Sequence, residues 1–96
     1  MRLEWSVYAV ADREEIFTYI EVESPRAAIS VDERIGEYVR QLLRYPESGR
    51  EGRVEGTREL VVVRTPYVIV YRLAEEVVII LRVLHGARRW PDDGAE

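Results

Sequence analysis

Between Gly52 and Pro91 the chain reads GRVEGTRELVVVRTPYVIVYRLAEEVVIILRVLHGARRWP, three apolar runs carrying Arg58, Arg72 and Arg82 and closed by His85, Arg88, Arg89 and Trp90. Guanidinium groups set inside such runs need either a buried carboxylate or an anionic ligand. Histidine is the side chain that exchanges protons near neutral pH, and His85 is the only one. Cleavage of RNA by attack of a 2′-hydroxyl requires a base for that hydroxyl, cations around the scissile phosphate and an acid for the leaving oxygen. His85, Arg82 and Arg88 supply these parts and are the catalytic candidates for that chemistry. Each also has a plainer use: His85 as a hydrogen-bonding residue at a strand end, Arg88 and Arg89 as a solvated pair, and Trp90 as an anchor of the tail on the core. Arg58 and Arg72 could pair with Glu59, Glu75 or Glu76.

These residues must be held by a sheet. Arg58 to Val63, Tyr67 to Leu73 and Val77 to Leu84 are β-rich runs joined by short links, which predicts an antiparallel meander. With three-residue turns, Val63 pairs with Tyr67 and Leu73 with Val77. Val61, Val63, Ile69, Tyr71, Leu73, Val77, Ile79, Leu81 and Val83 then form a core face. The opposite face would carry Arg58, Leu60, Val62, Val68, Val70, Arg72, Val78, Ile80, Arg82 and Leu84, with Arg82 opposite Val68. That surface is too apolar for water and too charged for a core, as a partner-binding surface is. Its expected contacts are Arg58, Leu60, Val62, Val68, Val70, Arg72, Ile80, Arg82, Arg89 and Trp90.

Upstream, Arg2 to Trp5 alternates as a short strand, and Ser6 is placed to cap a helix reaching about Val22, with Ala9, Ile16 and Ile20 on one side. Ser24 and Pro25 start a second helix that should end near Tyr45, before Pro46. Ala28, Val31, Ile35, Tyr38 and Leu42 make its apolar stripe, with Asp32, Glu33, Glu37 and Arg40 outward. Pro46 to Gly56 reads as an exposed loop, and Asp92 to Glu96 as a flexible acidic tail after a single domain spanning residues 1–91.

With 96 residues, 47% of them hydrophobic and 33% charged, the chain fits one small globular core. It lacks cysteine and has one histidine, so neither thiolate nor histidine metal chemistry is expected, and no cofactor. The net charge of −4 argues against binding nucleic acid through a broad basic surface. No apolar run is long enough to span a bilayer and the N-terminus is unlike a signal peptide, so no membrane partner and a cytoplasmic location are expected. All fourteen basic side chains are arginine, suited to bidentate contact with carboxylate or phosphate.

The order strand, two helices, loop and three-stranded meander, with GRVEGTRELVV, TPYVIVYRL and ILRVLHGARRWP, resembles the RelE/ParE superfamily of bacterial toxins from type II toxin–antitoxin systems, over Trp5 to Pro91. The resemblance implies an α+β fold, β-α-α-β-β-β, with two N-terminal helices packed on an antiparallel sheet. It also implies growth inhibition, plasmid stabilisation or addiction, a cognate antitoxin as partner, and a toxin–antitoxin hetero-oligomer. Two targets occur in the superfamily: DNA gyrase, for ParE-like members, and the ribosome with its mRNA, for RelE-like endoribonucleases. Many of those nucleases carry an arginine on the substrate face of the central strand, where this chain has Val68, and use lysines in the strand before it, which are absent here. The expectation therefore leans toward gyrase, with the mRNA interferase, or a toxin that binds its antitoxin without activity, as alternatives. An antitoxin's acidic C-terminal region would suit the arginines.

Overall fold

Ser6 ends a strand and begins a helix: its hydroxyl accepts from the Ala9 N–H at 3.0 Å, as an N-cap does, and donates to the Leu81 carbonyl at 2.7 Å. In the computed structural model, which describes residues 1–91, β1 (Arg2–Trp5) thus passes straight into α1 (Val7–Glu21). The expected acidic tail at 92–96 lies outside the described residues. Ser24 caps α2 (Pro25–Gln41) in the same way, accepting from the Ala27 N–H at 3.1 Å, with Pro25 in the first turn. α2 stops at Gln41 rather than near Tyr45, because the Leu42 and Leu43 amides turn back to Val39 and Arg40 in tighter bonds.

The strands that follow are β2 (Arg50–Glu51), β3 (Arg58–Val61), β4 (Tyr67–Ala74) and β5 (Val77–His85), in the sheet order β1-β5-β4-β3-β2. β1 runs parallel to β5, Arg2 opposite Val77 and Trp5 opposite Ile80, so the sheet is mixed rather than purely antiparallel. Parallel neighbours need a long connection, and the helices with the meander provide one. β2 falls inside the stretch that reads as loop from sequence, yet it pairs with β3 at Arg50–Glu59 and Glu51–Arg58. The result is an α+β arrangement of two helices on a five-stranded sheet.

Register overturns half of the expected face assignment. Val61 pairs with Val68 and Leu60 with Ile69, because four residues rather than three separate the paired ends of β3 and β4, the Val62 N–H reaching the Tyr67 carbonyl at 3.0 Å. Ala74 pairs with Val77, leaving a two-residue turn in which Glu75 adopts φ 53°. Each change shifts a strand by one place, and a shift of one place exchanges its faces. Leu60, Val62, Val78 and Ile80 therefore pack in the helix-facing core, Val62 and Ile80 at 0% exposure, and present no partner-binding surface. A β-bulge between Val70 and Tyr71 of the ladder then restores the expected parity for the end of β5, where Arg82 lies opposite Val70 and Leu84 opposite Val68. Arg82 is thus not opposite Val68 as expected.

Candidate functional site

β1 covers β5 only as far as Ile80, so the outer edge of β5 beyond it needs another set of partners. α1 supplies them. Asp12, 6% exposed, accepts from Arg82 Nε at 2.7 Å, from Arg82 Nη2 at 2.9 Å and from the Val83 N–H at 2.9 Å. This fork of two parallel bonds is the strong carboxylate geometry of arginine, and one carboxylate closes both the strand edge and the cation. Arg82 also stacks on Trp90, with its guanidinium carbon 5.5 Å from the ring centroid.

At the other end of the sheet, β3 places Glu59 at 2% exposure under the segment from Gly49 to Arg53. Its carboxylate accepts from the Arg53 N–H and Arg53 Nε, both at 3.0 Å, and lies 3.4 Å from Arg50 Nη2. Burial alone would push this carboxyl up, but the Arg53 hydrogen bonds and the Arg53 and Arg50 cations outweigh it and hold Glu59 below the usual glutamate range. Arg53 Nη1 continues to the Arg88 carbonyl at 2.9 Å, tying the segment to the C-terminal stretch. Tyr71 reaches under the same segment from β4, donating to the Pro46 carbonyl at 2.7 Å and accepting from the Gly49 N–H at 2.9 Å. A Cβ at position 49 would lie 2.8 Å from the Tyr71 oxygen, so glycine is the residue that lets this phenol in. Burial pushes the Tyr71 hydroxyl above the usual tyrosine range.

The arginines singled out by sequence thus meet different fates. Arg82 is committed to Asp12, and Arg58 donates to the Glu47 and Gly49 carbonyls at 3.1 and 2.8 Å rather than to a carboxylate. Arg72 is exposed and makes no such contact among the described residues. The sheet face away from the helices, expected to be open, is partly closed by the chain itself: Val68, Val70 and Leu84, all at 4% exposure or less, form a small cluster with Leu81 and Trp90 over it. The Trp90 Nε1–H is buried there without an acceptor among the described residues.

His85 and Arg82, expected to act together, project to opposite faces of β5. His85 pairs with Tyr67 across the ladder and meets its ring edge-on, centroids 5.9 Å apart and planes at 82°. Its Nδ1 accepts from the Ala87 N–H at 3.1 Å, and the residue is exposed. Around it Tyr67, Tyr19, Glu15 and Arg88 line a shallow hollow of about 190 Å³, which Arg82 approaches only through Asp12. Arg89 is exposed beyond it. No group of three potential metal ligands occurs among the described residues, and no helix there is long and apolar enough to cross a membrane.

Sequence reasoning missed Asp12 and Glu59 as organisers of the site. A carboxylate on the sheet-facing side of a helix, one turn after Ala9 and before Ile16, was the available sign for Asp12. For Glu59 it was an acid inside an apolar strand.

Two helices on a mixed five-stranded sheet, with an edge strand preceding the helices and a long C-terminal hairpin, define the small toxin fold of the RelE/ParE class. The chain belongs to the family described as ParE toxin of the type II toxin–antitoxin system parDE, which matches residues 3–90. It is 46% identical over 90 residues to the protein named toxin Y4kP of Sinorhizobium fredii, covering 94% of this chain and 93% of that one. It is 43% identical over 84 residues to toxin RelE2 of Caulobacter vibrioides, covering 88% and 93%. Among solved structures, that of the chromosomal ParDE toxin–antitoxin system of P. aeruginosa superimposes with a TM-score of 0.79 at 30% identity, over 88% of this chain and 95% of that one.

Proposed function

We propose that this chain, as one toxin domain over residues 1–91, inhibits growth by acting on DNA gyrase in the cytoplasm and is held inactive in a hetero-oligomer with a cognate antitoxin, as part of a stabilisation module. The observation that carries the choice of target is the central strand. Val68 and Val70 are buried beneath Trp90, and Arg82 beside them is already engaged by Asp12, so the strand around Val68 offers no cation to a scissile phosphate, Arg72 lying toward its far end. Arg72, exposed, is the arginine retained as a contact for antitoxin carboxylates. Similarity to the ParDE system of P. aeruginosa supports the antitoxin partner and the ParE-like reading.

A second reading, the ribosome-dependent mRNA endoribonuclease, is favoured by one observation: His85 and Arg88 share a hollow open to the exterior. Induced expression separates the two. Gyrase-linked DNA breaks with an SOS response are expected, and primer extension on cellular mRNA should show no new ends. In-frame, ribosome-dependent cuts that disappear in His85→Gln would replace the gyrase reading. Unimpaired growth with neither outcome would leave antitoxin binding as the sole activity.

A further inference from the structure

The outward stripe of α2 carries its charges in an order that the chain itself can answer. Ala28, Ile35, Val39 and Leu42 turn into the core. At about 100° per residue, Glu33, Glu37 and Arg40 follow one another along the other side, and Arg44 continues the stripe in the tight turn that ends the helix. All four are exposed, and none makes an ion pair among the described residues. Glu33 and Glu37 are like charges one turn apart, and so are Arg40 and Arg44, which works against the helix. The helix dipole favours the bases near the C-terminal end, but the glutamates lie two turns or more beyond Pro25, past the first turn where that field acts. Two blocks that each repel themselves and are tied to no neighbouring side chain are relieved by charges brought from outside.

Turning the stripe end for end exchanges its blocks. In an antiparallel pair of α2 helices related by a two-fold axis at the level between Tyr38 and Val39, Glu33 comes opposite Arg44 of the second copy and Glu37 opposite Arg40, and each contact occurs twice. We infer that the outer face of α2 is a docking surface for a second copy of this chain, held antiparallel by these four ion pairs. The receiving shape is present. Glu37, Arg40, Gln41, Arg44 and Tyr45 line a hollow of about 680 Å³ at the C-terminal end of α2, and this register brings Glu33 and Glu37 of the second copy over it. Tyr45, 59% exposed, supplies apolar surface at its rim. A parallel arrangement would set each block on its own copy, and a polyanion drawn to Arg40 and Arg44 would meet Glu37 and Glu33 beside them. A single exposed ion pair contributes little, so the dimer is a transient one whose strength lies in four contacts made together by two rigid helices. The inference is independent of which target the toxin acts on.

Sedimentation equilibrium on the purified full chain, at loadings up to about 200 μM, is expected to show a monomer–dimer equilibrium with a dissociation constant on the order of tens of micromolar. Raising the salt to about 0.5 M should weaken it about tenfold. Glu33→Arg/Glu37→Arg makes the stripe wholly basic and Arg40→Glu/Arg44→Glu makes it wholly acidic, and each double variant should self-associate more than about tenfold more weakly than wild type. Mixed in equal amounts, the two variants should pair with each other at least as tightly as wild type does, because every contact between them is attractive. Circular dichroism melting checks that each variant stays folded. A wild-type chain that stays monomeric throughout overturns the inference, as does a dimer that both variants retain or a mixture that fails to associate. A monomeric wild type whose binding to the product of the adjacent reading frame is lost in the same variants would give the face to that protein instead.

Discussion

The sheet face away from the helices and the outer face of α1 both mix apolar and charged side chains, and the fold treats them in opposite ways. On the sheet face the prominent charges other than Arg72 are answered from within, Arg82 by Asp12 and Glu59 by Arg53 and Arg50, while the apolar Val68, Val70 and Leu84 are covered by Trp90. On α1 the valines and tyrosines stay exposed and the glutamates stay unpaired among the described residues. Apolar strands punctuated by arginine look like a docking surface in one dimension, yet here long-range ties satisfy them. A helix of ordinary composition is what remains open. An interface is therefore recognised by what is left unanswered after folding, rather than by which residues are present.

The contrast is broken most severely by Asp12→Ala, which strands the Arg82 guanidinium and the Val83 N–H in a buried setting. Urea denaturation is expected to show a loss of about 3 kcal/mol, while Val22→Ser at the end of α1 costs less than about 0.5 kcal/mol in the same experiment. Equal losses at the two sites would erase the distinction between a tied face and an open one. Trp90→Ala follows, uncovering Val68, Val70 and Leu84 at a cost of about 2 kcal/mol, whereas Trp90→Phe keeps the cover and removes an N–H that has no acceptor among the described residues, so its cost should stay below about 1 kcal/mol. The smallest effect is a pH dependence. Glu59 is held below the usual glutamate range, so its contribution is present above that range and fades as the pH falls through the folded-state value. Denaturation midpoints of wild type and Glu59→Gln should differ by about 1 kcal/mol at pH 7 and converge on acidification below about pH 4. A gap that stays constant with pH would mean the glutamate acts by shape rather than charge.

Where chemistry is local, the sequence was readable. Ser6, Ser24 and Pro25 announce the starts of both helices, because a cap acts on amides only three residues away. The central strand was assigned to the correct faces, and so was the end of β5. Its beginning and β3 were not, because turn length sets register and the links 63–66 and 75–76 gave no unambiguous turn signature; Arg64 and Glu75 take positive φ where glycine would have marked the site. The bulge near Leu81 was equally invisible, though it returned Arg82 and Leu84 to the expected side. Least accessible were the partners of the arginines. Arg82 bonds a residue 70 positions earlier in the chain, a choice made by how α1 crosses the sheet. Arg58 turned to backbone carbonyls that exist only because Gly49 lets Tyr71 fold the preceding segment inward.

The incomplete coverage of β5 by β1 has a bearing on how this protein behaves when crowded. Ser6 and Asp12 occupy the Leu81 carbonyl and the Val83 amide, so no foreign strand can extend the ladder there. The far border has no such stopper: β2 pairs only with Arg58 and Glu59, leaving Val61 and Val63, at 41% and 53% exposure, beyond its reach. Edge-to-edge aggregation of concentrated protein would start from that valine-rich margin.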